Sequence, residues 1–210
     1  MDLFTELEEY RERKFDVFNL RDESALWYMK HFLREKEANE YFNSLLKNTD
    51  WKQEYITIYN RTVPYNRLLS WHGDQGYSLS YAGDHMSLKP WTKELLQLKQ
   101  DIEYFLPGHK FNSVLLSLYR NGNDRVSWHA DHEKDWAVNP IIASLSLGAT
   151  RRFDIKHKTV PGLEQKFELI NGTLVIMMGA FQHHWLHQVP KQKKITEPRI
   201  NLTFRKMQMM

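Results

Sequence analysis

Two stretches of this chain carry side chains that could do chemistry together. In SWHADHE, Ser127–Glu133, two histidines and two acids stand almost side by side, and farther on QHHWLHQVP offers His183, His184 and His187. If RVSWHADHE is a strand, its side chains alternate between faces. His129, Asp131 and Glu133 then share one face, and Trp128, Ala130 and His132 take the other. A neutral imidazole and a carboxylate on one face suit a borderline divalent metal. Two histidines and one carboxylate with open positions opposite are the mark of non-haem Fe(II) oxygenase sites. The second histidine would have to come from the downstream stretch. H-x-D alone is weak, because a chain with 10 histidines produces it by chance.

A third stretch strengthens the metal reading. In RINLTFR, alternation puts Arg199, Asn201, Thr203 and Arg205 on one face and Ile200, Leu202 and Phe204 on the other. Two arginines pointing into a protein interior are costly without anions to pair with. A dicarboxylate co-substrate would supply two, and guanidinium forks bind carboxylates in a bidentate manner.

The elements that would position these residues follow from periodicity. EKEANEYFNSLLKNTDW places Ala38, Tyr41, Phe42, Leu45 and Leu46 at helical spacing. LKPWTKELLQLKQDIEYFL reads as a second helix with Pro90 near its start and Leu95, Leu98, Ile102 and Phe105 on one face. EYITIYN alternates like a strand. After Pro107 the chain becomes a succession of short β-rich runs: NSVLLSLYR, RVSWHAD, PIIASLSLG, RRFDIKHK, KFELI, GTLVIMM, HWLHQVP and RINLTFR. Eight short strands after two helices point to a mainly β (α+β) fold with flanking helices, its core an antiparallel jelly roll. The expected organisation is a loosely ordered charged segment over 1–22, a helical and substrate-recognising region over 23–110, and the β core over 111–210, the last two forming one continuous domain.

Composition narrows the setting. The chain has 210 residues, 41% of them apolar, which is enough for a real core. It has no cysteine, which excludes disulfides and thiolate metal sites and fits an intracellular setting, cytoplasmic in a bacterium or nuclear in a eukaryote. No stretch approaches the roughly 18 apolar residues of a membrane helix. The charged start lacks the apolar core of a secretory signal. No membrane association is expected. A formal charge of +3 is compatible with a polyanionic partner without demanding one.

From about Ala38 to Lys206 the sequence resembles the AlkB family of Fe(II)/2-oxoglutarate dioxygenases, which dealkylate nucleic acids. The resemblance rests on FNSVLLSLYRNGNDRVSWHADHE, PIIASLSLGATRRFDIKHK, HHWLHQVPK and PRINLTFRK, and on the combination H-x-D…H…R-x-N-x-T-x-R. It implies a double-stranded β-helix core and the cofactors Fe(II), 2-oxoglutarate and O2. His129, Asp131 and His187 match the iron ligands, and His187 is preferred over His183 and His184 because Trp185–Pro190 matches W-x-H-x-x-P. Arg199, helped by Tyr119, matches the arginine for the distal carboxylate of 2-oxoglutarate, and Arg205 the one near the keto acid. Asn201 and Thr203 would line the same pocket.

Two departures stand out. Ser117 occupies a position where the family often has asparagine, and Asn66-Arg67 replaces the usual Pro-Arg. The resemblance also implies a substrate side: Tyr59 in ITIYNR as a wedge, Tyr81 stacking on an extruded base, Trp71, Tyr77 and Arg67 nearby, and Glu133 reading the exocyclic amine. Lys191, Lys193 and Lys194 could meet phosphates. The implied reaction is demethylation of bases such as 1-methyladenine and 3-methylcytosine in DNA, with RNA as the alternative polymer and a monomer as the working unit. A 2-oxoglutarate oxygenase acting on protein or a small molecule, and a non-catalytic nucleic-acid-binding module, are the competing readings.

Overall fold

The computed structural model describes residues 14–58, 61–76, 79–81, 84–131 and 139–208. Its chain order begins β1 (Asp16–Leu20), β2 (Ser24–Met29), α1 (Glu35–Asn48), β3 (Tyr55–Ile58), β4 (Arg61–Pro64) and β5 (Leu68–Gly73). It continues with β6 (Leu79–Tyr81), β7 (Asp84–Met86), β8 (Leu88–Lys89), α2 (Lys93–Tyr104), β9 (Ser113–Tyr119), β10 (Val126–His129) and β11 (Ile142–Gly148). It ends with β12 (Arg151–His157), β13 (Glu164–Leu169), β14 (Thr173–Gly179), α3 (Phe181–His184), β15 (Trp185–Val189) and β16 (Arg199–Arg205). All eight strands expected after Pro107 are present.

The strands form a major sheet in the order β1-β2-β14-β11-β16-β9-β5-β8 and a minor sheet in the order β10-β15-β12-β13. Pairing is antiparallel throughout except for β5 with β8. β3–β4 and β6–β7 are separate hairpins.

The inner strands of the major sheet are buried on both faces, and their period-2 pattern sorts the two cores. Val114, Leu116 and Leu118 of β9, Ala143, Leu145 and Leu147 of β11, and Ile200, Leu202 and Phe204 of β16 join Ala38 and Leu45 of α1 and Leu95, Leu98 and Ile102 of α2 in one apolar cluster. The opposite face carries Val175 and Met177 of β14, which meet Phe153, Ile155, Trp185 and Val189 of the minor sheet. Where β9, β11 and β16 run side by side, that inner face turns polar. The site lies there, between the sheets.

Three local features differ from expectation. Residues 16–20 are not loosely ordered: they form β1, paired in register with β2 from Asp16↔Tyr28 to Leu20↔Ser24. The second helix starts at Lys93 rather than near Leu88. Leu88 and Lys89 pair with Trp71 and His72 instead, Pro90 cannot donate to a helix, and Thr92 Oγ1 caps the Leu95 amide at 3.3 Å. The strand through RVSWHAD ends at His129, so Asp131 lies beyond it.

Candidate metal and co-substrate site

β10 and β15 pair so that His129 faces His187, with ring centroids 4.1 Å apart. Asp131 follows just past the strand end. One ligand atom from each of His129, Asp131 and His187 lies within 4.8 Å of the others. His129 Nδ1 donates to the Ser127 carbonyl at 2.9 Å, which leaves its Nε2 lone pair facing Asp131 Oδ1 at 3.6 Å. His187 is buried, and its Nδ1 has no hydrogen-bond partner among the described residues. A buried ring nitrogen without a partner is what a metal ligand looks like before it is engaged.

Electrostatics hold the three groups in their ligating forms. Burial pushes the His187 imidazole down to about 3, reinforced by the His129 ring beside it. His129 is also lowered, by burial first. Burial opposes ionisation of Asp131, but the Arg205 guanidinium outweighs it and holds the carboxyl well below the usual range. Arg205 Nη2 and Nε donate to Asp131 Oδ2 at 2.5 and 3.1 Å, which ties one carboxylate oxygen and leaves Oδ1 toward the histidines. Two neutral imidazoles and one carboxylate fit Fe(II).

Arg199 lies deeper. It is 1% exposed, its Nε donates to Ser146 Oγ at 2.7 Å and its Nη2 to Asn201 Oδ1 at 2.6 Å. Its Nη1 is buried with no partner among the described residues. Burial pushes the guanidinium down to about 10, yet it stays charged at neutral pH. The Tyr119 ring lies 5.0 Å from its central carbon. A buried cation with one nitrogen to spare fits a carboxylate, so the residues present suit 2-oxoglutarate as well as iron.

The same cavity is lined by Ser117, Thr203 and Arg67, with Leu115, Val126, Phe153, Met177 and Val189 as its apolar wall. Arg67 Nε donates to Ser117 Oγ at 3.2 Å. The hydroxyl that stands where asparagine is common therefore faces a guanidinium. Ser144 and Ser146 were not anticipated. PIIASLSLG carried the signal: two serines on one face of an otherwise apolar strand, opposite Thr203 and Asn201 in the β11–β16 register. Gln182 had no such signal, yet it accepts the Asp131 amide at 2.9 Å.

Other expected residues lie elsewhere. Trp71 is 2% exposed and packs with Leu69, Leu115 and Met207, so it is core rather than a stacking platform. Its strand is an interior member of the major sheet, which buries the indole. Tyr59, Tyr77, His132 and Glu133 fall outside the described residues, and so does the side chain of Tyr81 on β6. His184 belongs to a second group with Asp22 and His157. In it, His157 Nδ1 accepts the Thr159 and Val160 amides, so its proton sits on Nε2, 2.7 Å from Asp22 Oδ2. That nitrogen has no lone pair to offer an ion, and the group is an acid–histidine clasp. Lys191, Lys193 and Lys194 are exposed.

An iron-type triad and a buried arginine, set between the sheets of a jelly roll, define a 2-oxoglutarate oxygenase architecture. Residues 25–205 match the family model described as the 2OG-Fe(II) oxygenase superfamily. The chain is 43% identical over 185 residues to "Alpha-ketoglutarate-dependent dioxygenase alkB homolog 3" of Bos taurus, covering 83% of this chain and 63% of that protein. It is 32% identical over 181 residues to "DNA oxidative demethylase ALKBH2" of Homo sapiens, covering 81% and 69%. The chain therefore spans somewhat less than two thirds of the bovine relative's length. Among solved structures, that of OsALKBH1 superposes with a TM-score of 0.57 at 19% identity, covering 91% of this chain and 100% of that one; this likeness shows the fold. The chain belongs to the 2OG-Fe(II) oxygenase superfamily, and within it to the AlkB family.

Proposed function

We propose that this chain is an Fe(II)- and 2-oxoglutarate-dependent dioxygenase that removes alkyl groups from N-alkylated bases of DNA, with RNA as the alternative polymer. The observation that carries the proposal is the convergence of His129, Asp131 and His187 in one cavity with a buried Arg199 that has a guanidinium nitrogen to spare. The names of the bovine and human relatives support the choice of reaction and polymer. When bound, iron and 2-oxoglutarate together supply the means to reduce O2, placing one oxygen atom on the N-alkyl carbon and the other in succinate, with loss of CO2. The hydroxylated methyl group then leaves as formaldehyde and the base regains its N–H or lone pair.

The chain's own work is binding, orientation and exclusion of water. His129 and His187 are kept neutral by burial and so present lone pairs. Asp131 is kept ionised by Arg205. Arg199 would take the distal carboxylate of 2-oxoglutarate, aimed by Ser146, Asn201 and Tyr119. Phe153, Met177 and Val189 keep the cavity wall apolar. On the substrate side, Tyr59, Tyr77, Tyr81, Glu133 and Arg67 are the proposed contacts. A cationic lesion such as 1-methyladenine would favour Glu133, and its failure to pair lowers the cost of flipping it out. A cysteine-free chain fits an intracellular site of action.

The test is a panel. Full-length protein with Fe(II), 2-oxoglutarate and ascorbate is given oligonucleotides containing 1-methyladenine or 3-methylcytosine, as single- and double-stranded DNA and as RNA. Demethylation in a DNA arm supports the proposal. Demethylation confined to RNA replaces the polymer. Succinate formation with no demethylation in any arm assigns the site to another substrate.

A further inference from the structure

We infer that Gln182 is a positioning residue for the metal ligand Asp131. The inference rests on the iron reading given above and deepens it. β10 and β15 pair only as far as His129↔His187, so the ladder offers no acceptor to the Asp131 amide. That amide is nevertheless buried, and a buried N–H left unmet is costly. Gln182 supplies the acceptor with its side chain, Oε1 lying 2.9 Å from the Asp131 nitrogen.

The amide group of Gln182 has little freedom to do otherwise. It is 0% exposed. The Asp131 N–H demands that oxygen face it, and the Gln182 Nε2 then points to Met177 Sδ at 3.7 Å. The Gln182 backbone is held as well, its carbonyl accepting Lys158 Nζ at 2.9 Å. Gln182 also lies on α3, immediately before the strand that carries His187. One residue thus ties the segment holding the carboxylate ligand to the segment holding a histidine ligand. Arg205 fixes the Asp131 carboxylate from one side and Gln182 fixes its backbone from the other. Partners of this kind orient metal ligands, and their loss typically weakens metal binding by about 10–100-fold.

The experiment titrates metal-free full-length protein with Mn(II), read by the electron paramagnetic resonance of free ion, and with Co(II), read by visible absorption. Gln182→Met keeps the length and removes the acceptor. It is expected to weaken Mn(II) binding about 10-fold or more and to change the Co(II) bands. Gln182→Glu retains an oxygen at the same place and is expected to recover most of the affinity. Wild-type affinity in Gln182→Met, or equal weakening in both variants, overturns the inference. If wild-type protein takes up no metal, the iron reading fails instead. Amide exchange in wild-type protein tests the same point without a variant. The Asp131 N–H should exchange slowly in metal-free protein, and exchange at the rate of an open loop overturns the inference.

Discussion

Arg199→Met separates a co-substrate ligand from a structural arginine. The guanidinium is buried, and two of its three nitrogens are satisfied by Ser146 and Asn201. The third, Nη1, has no partner among the described residues. If Nη1 is reserved for a carboxylate of 2-oxoglutarate, the substitution removes one charge-assisted hydrogen bond, about 1.5–3 kcal/mol. At roughly 1.4 kcal/mol per decade, the dissociation constant for 2-oxoglutarate should rise about 10- to 150-fold. Metal-free stability should not fall in parallel. A buried charge without an anion is costly, and exchanging it for an apolar side chain of similar length is often neutral or stabilising. Arg199→Lys keeps the charge and loses the planar fork, so it should fall between the two. Calorimetric titration of 2-oxoglutarate under nitrogen, with Mn(II) in place of iron, gives the affinity, and thermal unfolding gives the stability. Unchanged 2-oxoglutarate affinity in Arg199→Met, or a large loss of stability in metal-free protein, would refute the assignment.

Further outcomes are expected. Asp131→Ala removes a ligand and breaks the buried Asp131–Arg205 ion pair, so Mn(II) uptake should vanish and stability fall by about 3 kcal/mol; titration and urea unfolding check both, and retained uptake contradicts the triad. At Glu103, burial opposes ionisation, but Lys110, the Phe111 amide and Lys99 outweigh it, so the folded pKa is lowered. The stabilisation is present above the unfolded value of about 4.3 and is lost as pH falls through the folded value. The stability gap between wild type and Glu103→Gln, from urea unfolding, should therefore shrink between roughly pH 5 and pH 3, and a constant gap counts against the ion-pair assignment. A Cβ on Gly122 would stand 1.8 Å from the Gln192 carbonyl oxygen, so Gly122→Ala must part the 121–124 turn from the segment carrying Lys191, Lys193 and Lys194. A lower melting temperature is expected, and an unchanged one contradicts the packing.

Much of this was legible in the sequence for a physical reason. A sheet buried on both faces, with one face partly polar, writes its pattern plainly. Ile200, Leu202 and Phe204 alternate with Arg199, Asn201, Thr203 and Arg205, and both sets go where alternation sends them. The pairing of His129 with His187 could be anticipated only as two strands meeting inside a barrel. Asp131 reaches the site for a different reason from the one alternation suggests. The strand has ended, and Gln182 and Arg205 bring the residue in. A side chain that substitutes for a ladder bond has no period and leaves no trace in the pattern. Trp71 shows the converse limit, because an aromatic in a central strand looks the same whether it meets a ligand or the core.

The central claim is tested most directly by following one lesion and one by-product together. Intact-mass analysis of a DNA oligonucleotide carrying 3-methylcytosine, run beside a formaldehyde assay, should show the methyl group lost and formaldehyde released in equal amounts. Both should require 2-oxoglutarate, and both should disappear in Asp131→Ala. An oligonucleotide that keeps its methyl group while wild-type protein still turns 2-oxoglutarate into succinate would contradict the account.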